Sequence, residues 1–362
     1  MISIVIPTYR ESESVQQTLR RAAAALWKYG DEFELIVVDD ESDDGTAEKA
    51  ESLQNELPVR VLRRKGKRGL ATAVVDGWAT ARGDILGVMD GDLQHPPEVL
   101  AELADAMQRT QADLVVASRY CRGGGSLRWP WWRRVASAAA THLAATVLPL
   151  RLSGMTDPMS GMFLVRARAI EGAELTPIGF RILLEVVGKG KIGKLCEVPY
   201  LFEKREQGRS KLGARECAEY LMHLARLAWS TGQLRKWMRY TLVGLTGAVV
   251  NLSALDVMAV KEGWPLAAAA AAAIELAIVY NFFGNWLFTF SRCPAGPFAR
   301  RLARYELICA PGAALNWLLT LSLFGVGFPL LGAAAVGIAA DGLVNLTLNI
   351  PSIWKIWGPD LH

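Results

Sequence analysis

Charge is distributed very unevenly along this chain. Of its 40 Lys and Arg and 36 Asp and Glu, only 12 lie in residues 241–362. Four long apolar runs fill that stretch: Tyr240–Val260, Leu266–Phe290, Leu307–Phe328 and Leu330–Trp354. Each reaches the about 20 residues that a helix needs to cross a bilayer. A chain with this division predicts a soluble half followed by an all-α transmembrane domain of four helices. The cations suggest its orientation. RKWMRY precedes the first run, Arg292, Arg300, Arg301 and Arg304 separate the second from the third, and Lys355 follows the fourth. The other two connections hold at most Lys261 as a cation. The positive-inside rule then predicts an integral, multi-pass protein with its soluble half and both termini in the cytoplasm. The N-terminus, MISIVIPTYRE, lacks the basic start and long apolar core of a signal peptide.

In the soluble half, short apolar strands alternate with helical stretches. Ile2–Ile6, Phe33–Val38, Val59–Leu62, Asp84–Met89 and Asp113–Ala117 read as strands. Glu13–Lys28, Leu70–Ala81 and Pro97–Arg109 read as helices, and another opens near Thr46, a candidate N-cap. Continuous apolar strands with helices between them predict a mostly parallel, Rossmann-like α/β sheet covered on both faces. Ligands bind such sheets at the carboxyl ends of the strands. Asp39, Asp40, Asp90 and Asp92 all fall at such ends. Further on, Trp129–Leu150 mixes three tryptophans, two arginines and small residues, a composition suited to a membrane interface. Leu212–Trp237 reads as a second amphipathic helix leading to the bilayer.

Two carboxylates two residues apart at a strand end repel each other unless a cation lies between them. Asp90, Asp92 and Gln94 offer hard oxygen ligands, which suit Mn²⁺ or Mg²⁺. A divalent cation there would neutralise a departing diphosphate, which points to a nucleotide-sugar donor. Asp39 and Asp40 are placed to bond a base or ribose, and the loop from Lys65 to Gly69 offers cations to phosphates. The net charge of +4 is too mild to imply nucleic acid. The five cysteines form no CxxC pair, so neither a zinc site nor a disulfide framework is expected.

The motifs IVIPTYRESESV, VVDDESDDGTAE, GKRGLATAVVDGW, MDGDLQHPPE, VVASRYCRGGG, DPMSGMFLVRA and EVPYLFEKREQGRSKL occur in that order. Together, over about residues 1–215, they resemble the polyprenyl-phosphate glycosyltransferases of the GT-A fold, family 2, in particular the dolichol-phosphate mannosyltransferases. The apolar half, with YNFFGNWLFTF after a span, is similar to GtrA-like domains. The resemblance implies a GT-A catalytic domain over 1–211, with an interfacial helix near 129–150. It further implies an amphipathic linker over 212–238 and a membrane domain over 239–362. Pro7, Tyr9, Glu11, Asp39, Lys67, Arg68, Asp90, Gly91 and Asp92 would contact the donor. Asp90, Asp92 and Gln94 would hold Mn²⁺ or Mg²⁺. Arg119, Arg209, Ser210 and Lys211 would hold the lipid phosphate, with Arg133 and Ser137 matched by position on the interfacial helix. Asp157 and Ser160 would shape the acceptor side. Arg119 and Asp92 would carry the chemistry.

The implied reaction is inverting transfer of mannose from GDP-mannose to dolichol or polyprenyl phosphate. UDP-glucose and UDP-N-acetylglucosamine are alternative donors, and an oligomer is compatible with the reading. A phosphate monoester is anionic at neutral pH, its second pKa being about 6, so the reaction needs no dedicated base. Gln233–Trp237, QLRKW, approaches the QxxRW pattern of processive synthases but carries Lys236 at the arginine position, and reads as an interfacial anchor. His95 reads as a polar turn residue rather than a ligand. Glu275 and Asp341 fall within expected spans, where acids are functional candidates. They keep open a lipid-linked sugar translocator or a scaffold as the other class of function.

Overall fold

The computed structural model describes residues 1–30, 32–66, 69–126, 131–148, 154–202, 213–290 and 297–345. The chain divides into two compact units, Met1–Ala144 with Gly154–Leu227, and Ala145–Ser153 with Ala228–His362.

In the first unit, strands β1 (Ile2–Thr8), β2 (Phe33–Asp39), β3 (Val59–Arg63), β4 (Ile85–Val88) and β5 (Leu114–Ser118) alternate with helices α1 (Val15–Leu26), α2 (Thr46–Glu51), α3 (Leu70–Ala79) and α4 (Val99–Thr110). A two-residue strand β6 (Gly125–Ser126) and helix α5 (Trp131–Val147) follow. Next come β7 (Phe163–Arg166), the short α6 (Ala167–Ile170), α7 (Ile182–Lys189), β8 (Leu195–Pro199), β9 (Leu201–Phe202) and α8 (Ala214–Ser230). The seven-stranded sheet has the order β3-β2-β1-β4-β7-β5-β8. Every pairing in it is parallel except those of β7, which runs antiparallel to both β4 and β5. Every residue of β1 and β2 is buried, as expected of strands covered on both faces. The five expected strands are present. Strands β7 and β8 lie beyond the expected set, because a run as short as Phe163–Val165 carries no alternation to mark a strand.

Helix α2 corrects a local expectation. Gly45, at φ 84°, occupies the cap position, and Thr46 is the first helical residue. The Asp44 carboxylate accepts the Thr46 N–H at 3.1 Å, so the acid supplies the capping bond.

Helix α8 is tied to α7 by a buried charge network. Glu185 Oε2 lies 2.9 Å from His223 Nε2, and its Oε1 accepts the Thr176 N–H at 2.8 Å and pairs with Lys189 Nζ at 2.7 Å. Burial opposes ionisation of Glu185, but the bonds from His223, Lys189 and Thr176 outweigh it and bring its pKa down to about 2. A carboxylate whose folded pKa lies below its ordinary value stabilises the fold above that ordinary value. That stabilisation is lost as pH falls through the folded one. Glu185→Gln should therefore cost about 3 kcal/mol at neutral pH. Thermal unfolding followed between pH 7 and pH 2 should show the gap from the unsubstituted protein closing in the acid limb. A pH-independent gap would contradict the assignment.

The second unit is helical: α9 (Gln233–Leu255), α10 (Leu266–Gly284), α11 (Phe298–Gly325) and α12 (Leu330–Val344). Wider π turns extend α9 over Asp256–Lys261 and α10 over Asn285–Thr289. Among the described residues, three helices are long and apolar enough to cross a membrane: Gln233–Lys261, Leu266–Thr289 and Phe298–Gly325. The expected fourth span is represented by α12, which at 15 residues is shorter, and positions 346–354 lie outside the described residues. Two expected boundaries shift. The amphipathic stretch 212–237 is interrupted at Gly232, whose φ of 71° ends one helix and starts the next, so QLRKW forms the first turns of α9. Helix α11 begins at Phe298, after Pro297, and takes Arg300, Arg301 and Arg304 into its first turns instead of leaving them in a loop.

Asn251, Asn285, Thr289, Asn316 and Thr320 are buried in this unit. Thr289 donates to Asn285 at 2.9 Å, as side chains must find partners where water is absent. Asp341 is likewise paired, accepting from Asn345 Nδ2 at 2.7 Å, whereas Glu275 lies on an exposed face of α10.

Candidate active site at the carboxyl edge of the sheet

The ends of β1, β2 and β4 meet at one edge. Beyond β4 the chain turns through Asp90, Gly91 and Asp92, and Leu93 adopts a positive φ of 59°. The turn is pinned from α1. Ser14 Oγ and Thr18 Oγ1 donate to the Gly91 carbonyl at 2.9 and 3.1 Å. Asp92 Oδ1 accepts the Gln94 N–H at 3.1 Å. As a result, ligand atoms of Asp90, Asp92 and His95 all lie within 4.8 Å of one another.

His95 lies in this turn, as its sequence position suggests, and its ring is drawn into the cluster. It is buried, stacked on Tyr200 at 5.5 Å between centroids and edge-on to Phe202 at 5.2 Å. Burial, with a smaller contribution from the Arg119 charge, pushes its pKa down to about 3, so the ring is neutral. Its Nδ1 lies 3.4 Å from Asp90 Oδ2. Gly161, from the DPMSGM motif, packs against the same pair. A Cβ there would lie 2.8 Å from Asp90 Oδ2 and 3.2 Å from His95 Cε1. Two carboxylates and a neutral imidazole within one small volume, on a backbone without a side chain pressing on them, fit a hard divalent cation such as Mn²⁺ or Mg²⁺.

The expected donor-contact residues border this cluster. Pro7 is in β1, paired with Val38. Tyr9 follows, with the Arg10 guanidinium 5.4 Å from its ring centroid. The Glu11 N–H donates to Thr46 Oγ1, and its Oε2 lies 3.2 Å from Ser14 Oγ, the group that also pins Gly91. Asp39 is buried, accepting from Thr8 Oγ1, Ser42 Oγ and the Ser42 N–H at 3.2, 2.7 and 2.9 Å. Asp40 departs from expectation. It is buried and satisfied internally, accepting Arg64 Nε at 2.7 Å and the Gly69 N–H at 2.8 Å. Its charge therefore anchors both ends of the basic loop rather than facing a base. Lys67 and Arg68 lie outside the described residues.

On the other side, Arg119 follows β5 and is gripped by Asp157. Its backbone N–H and Nε donate to Asp157 Oδ2 at 3.0 and 2.7 Å, and its Nη2 donates to Oδ1 at 2.7 Å. Asp157 is fully buried, and its own N–H donates to Glu197. The pairing raises the Arg119 pKa despite desolvation. Ser160 is also buried, and its hydroxyl donates to the Met162 carbonyl, closing the turn that presents Gly161. Tyr120, whose ring lies 5.5 Å from the Arg119 guanidinium, donates its hydroxyl to Ser137 Oγ on α5 at 2.8 Å. Arg133 is also on α5, but its side chain lies outside the described residues, as do Arg209, Ser210 and Lys211.

Residues 3–172 match the family described as "Glycosyl transferase family 2", and residues 239–354 match "GtrA/DPMS, transmembrane domain". The chain is 38% identical over 353 residues to a dolichol-phosphate mannosyltransferase of Pyrococcus furiosus, covering 98% of this chain and 99% of the relative. It is 36% identical over 231 residues to an undecaprenyl-phosphate mannosyltransferase of Micrococcus luteus, covering 61% and 91%. In fold, the mannosyl-3-phosphoglycerate synthase of Rubrobacter xylanophilus superposes with a TM-score of 0.51 at 21% identity, covering 64% of this chain and 75% of that one.

Proposed function

The chain belongs to the dolichol-phosphate mannosyltransferase family of membrane glycosyltransferases, and on that basis we propose that it transfers mannose from GDP-mannose to the phosphate of a polyprenyl phosphate. The observation carrying this reading is the Asp90, Asp92 and His95 cluster at the carboxyl edge of a GT-A sheet, on a chain that also carries membrane-length helices. Asp90 and Asp92, with His95 and Gln94 beside them, would hold the cation. When bound, Mn²⁺ or Mg²⁺ supplies positive charge to the leaving diphosphate.

The remaining work falls to the chain's own residues. Pro7, Tyr9, Glu11 and Asp39 frame the nucleotide, with Lys67 and Arg68 on the adjoining loop. Arg119, Ser137 and Arg133, together with Arg209, Ser210 and Lys211, orient the acceptor phosphate. That phosphate is already anionic, so arginines need only position it, and guanidinium groups do so without removing its charge. Its oxygen attacks the anomeric carbon from the face opposite the diphosphate, and the configuration inverts. Orientation and charge stabilisation carry the rate enhancement. The cations at and between the ends of the apolar segments support a catalytic unit and both termini on the cytoplasmic side.

One experiment tests reaction, donor and orientation together. Radiolabelled GDP-mannose, UDP-glucose and UDP-N-acetylglucosamine are offered with a short polyprenyl phosphate to inverted and right-side-out vesicles. Label should enter the lipid phase from GDP-mannose, in inverted vesicles, and EDTA should abolish it. Label from a UDP-sugar would reassign the donor, label in sealed right-side-out vesicles would reverse the orientation, and no label from any donor would reject the reaction.

A further inference from the structure

Arg181 immediately precedes α7, and its cationic side chain has no counter-ion in the described structure. Its guanidinium carbon lies 4.2 Å from the ring centroid of Tyr220, on α8, and 4.8 Å from that of Phe180. Its Nε and Nη1 are buried and, among the described residues, have no hydrogen-bond partner. Among the described residues, the ionisable groups that act on it are Tyr220, Cys217 and a second cation, Arg119. Burying guanidinium donors without an acceptor is unfavourable, and a nearby positive charge adds to the cost. The Tyr220 and Phe180 rings lie within cation–π distance of the guanidinium. Its N–H edge is what remains to bind with, and that edge matches the oxygens of a phosphate.

The surroundings indicate whose phosphate this is. Tyr220 donates its hydroxyl to the Ala140 carbonyl on α5 at 2.5 Å. Ala140 is one helical turn from Ser137, which receives the Tyr120 hydroxyl beside Arg119. Thr141, the next residue, carries a buried hydroxyl that also has no partner among the described residues. Arg119 and Arg181 are thus linked through Tyr120 and Tyr220 to successive turns of one helix. The elements around them expose large apolar side chains: Trp131 on α5, Phe180 beside Arg181, and Leu221 and Met222 on α8. Such a surface suits a phosphate that arrives on a hydrocarbon chain. Arg119 is already paired with Asp157, so a further guanidinium on this side adds charge that a dianion can use.

We propose that Arg181 binds the phosphate of the lipid acceptor directly, alongside Arg119, with the Thr141 hydroxyl as a neighbouring donor. This rests on the reading of a polyprenyl phosphate as the acceptor. The test uses the full-length protein with Arg181→Gln and Arg181→Lys. KM is measured separately for a short polyprenyl phosphate and for GDP-mannose. In parallel, calorimetry compares binding of the same polyprenyl phosphate and of its unphosphorylated polyprenol.

Arg181→Gln should raise the acceptor KM about tenfold or more, as expected on losing a charge-assisted contact, and leave the donor KM unchanged. Arg181→Lys, which keeps the charge but not the fork, should fall between, and it decides the matter if the glutamine variant does not fold. Binding of the phosphate should weaken in step with KM, while binding of the polyprenol stays the same. An unchanged acceptor KM, even with a lowered unfolding temperature, would make Arg181 a structural staple and overturn the proposal. A rise in donor KM instead would assign it to the diphosphate, which also overturns it. If the unsubstituted protein transfers nothing, the reaction assignment fails by itself, and the calorimetric comparison still decides whether Arg181 binds the phosphate.

Discussion

Asp92→Asn should lower the transfer rate at saturating donor and acceptor by about 10²–10³-fold, the loss typical of removing one preorganised electrostatic contact. The substitution is nearly isosteric. The asparagine carbonyl can still accept the Gln94 N–H that Asp92 Oδ1 accepts at 3.1 Å, so the turn after β4 should persist. What goes is one of the two negative charges in a cluster whose ligand atoms lie within 4.8 Å of one another. The concentration of Mn²⁺ needed for half-maximal rate should rise at the same time, because carboxylate charge sets the affinity for hard cations. Single-turnover transfer measured across a manganese titration reads both effects. A rate within a few-fold of the unsubstituted protein, at an unchanged metal requirement, would remove Asp92 from the site.

Asp157→Ala should destabilise the catalytic unit by about 3–5 kcal/mol, because it strands the Arg119 charge in a nearly closed site. The Arg119 side chain is only 8% exposed and that of Asp157 is fully buried, so water cannot replace the lost partner. The double substitution Arg119→Met with Asp157→Leu removes both charges, and burying two apolar groups there should restore much of the stability. Transfer should nevertheless stay lost in the double variant, since no guanidinium remains beside Tyr120 to orient the acceptor. Unfolding midpoints and transfer rates measured on the same preparations separate the two roles. A double variant that is stable and still active would show that Arg119 serves the fold alone.

Much of this protein can be read along the chain because the relevant signals are local. The scarcity of charge after residue 240 is a property of a contiguous stretch, and so is the length of each apolar run. The five strands from β1 to β5 declare themselves as short apolar runs between helical periods. Asp90 and Asp92 announce a site because both belong to one turn at the end of one of those strands.

The tertiary structure decided what depends on distant residues meeting. Strand β7 enters antiparallel between β4 and β5, and that reversal delivers Gly161 to Asp90 and His95. His95 lies in a turn, but Tyr200 and Phe202, the rings that bury it, arrive from far along the chain. Asp40 looked like a ligand group until Arg64 folded back onto it, and Arg119 gained its carboxylate from 38 positions away. Arg181 carried no motif at all. Its place emerges only where α5, α7 and α8 pack around Tyr220, because whether a charge is left without a partner depends on every element that surrounds it.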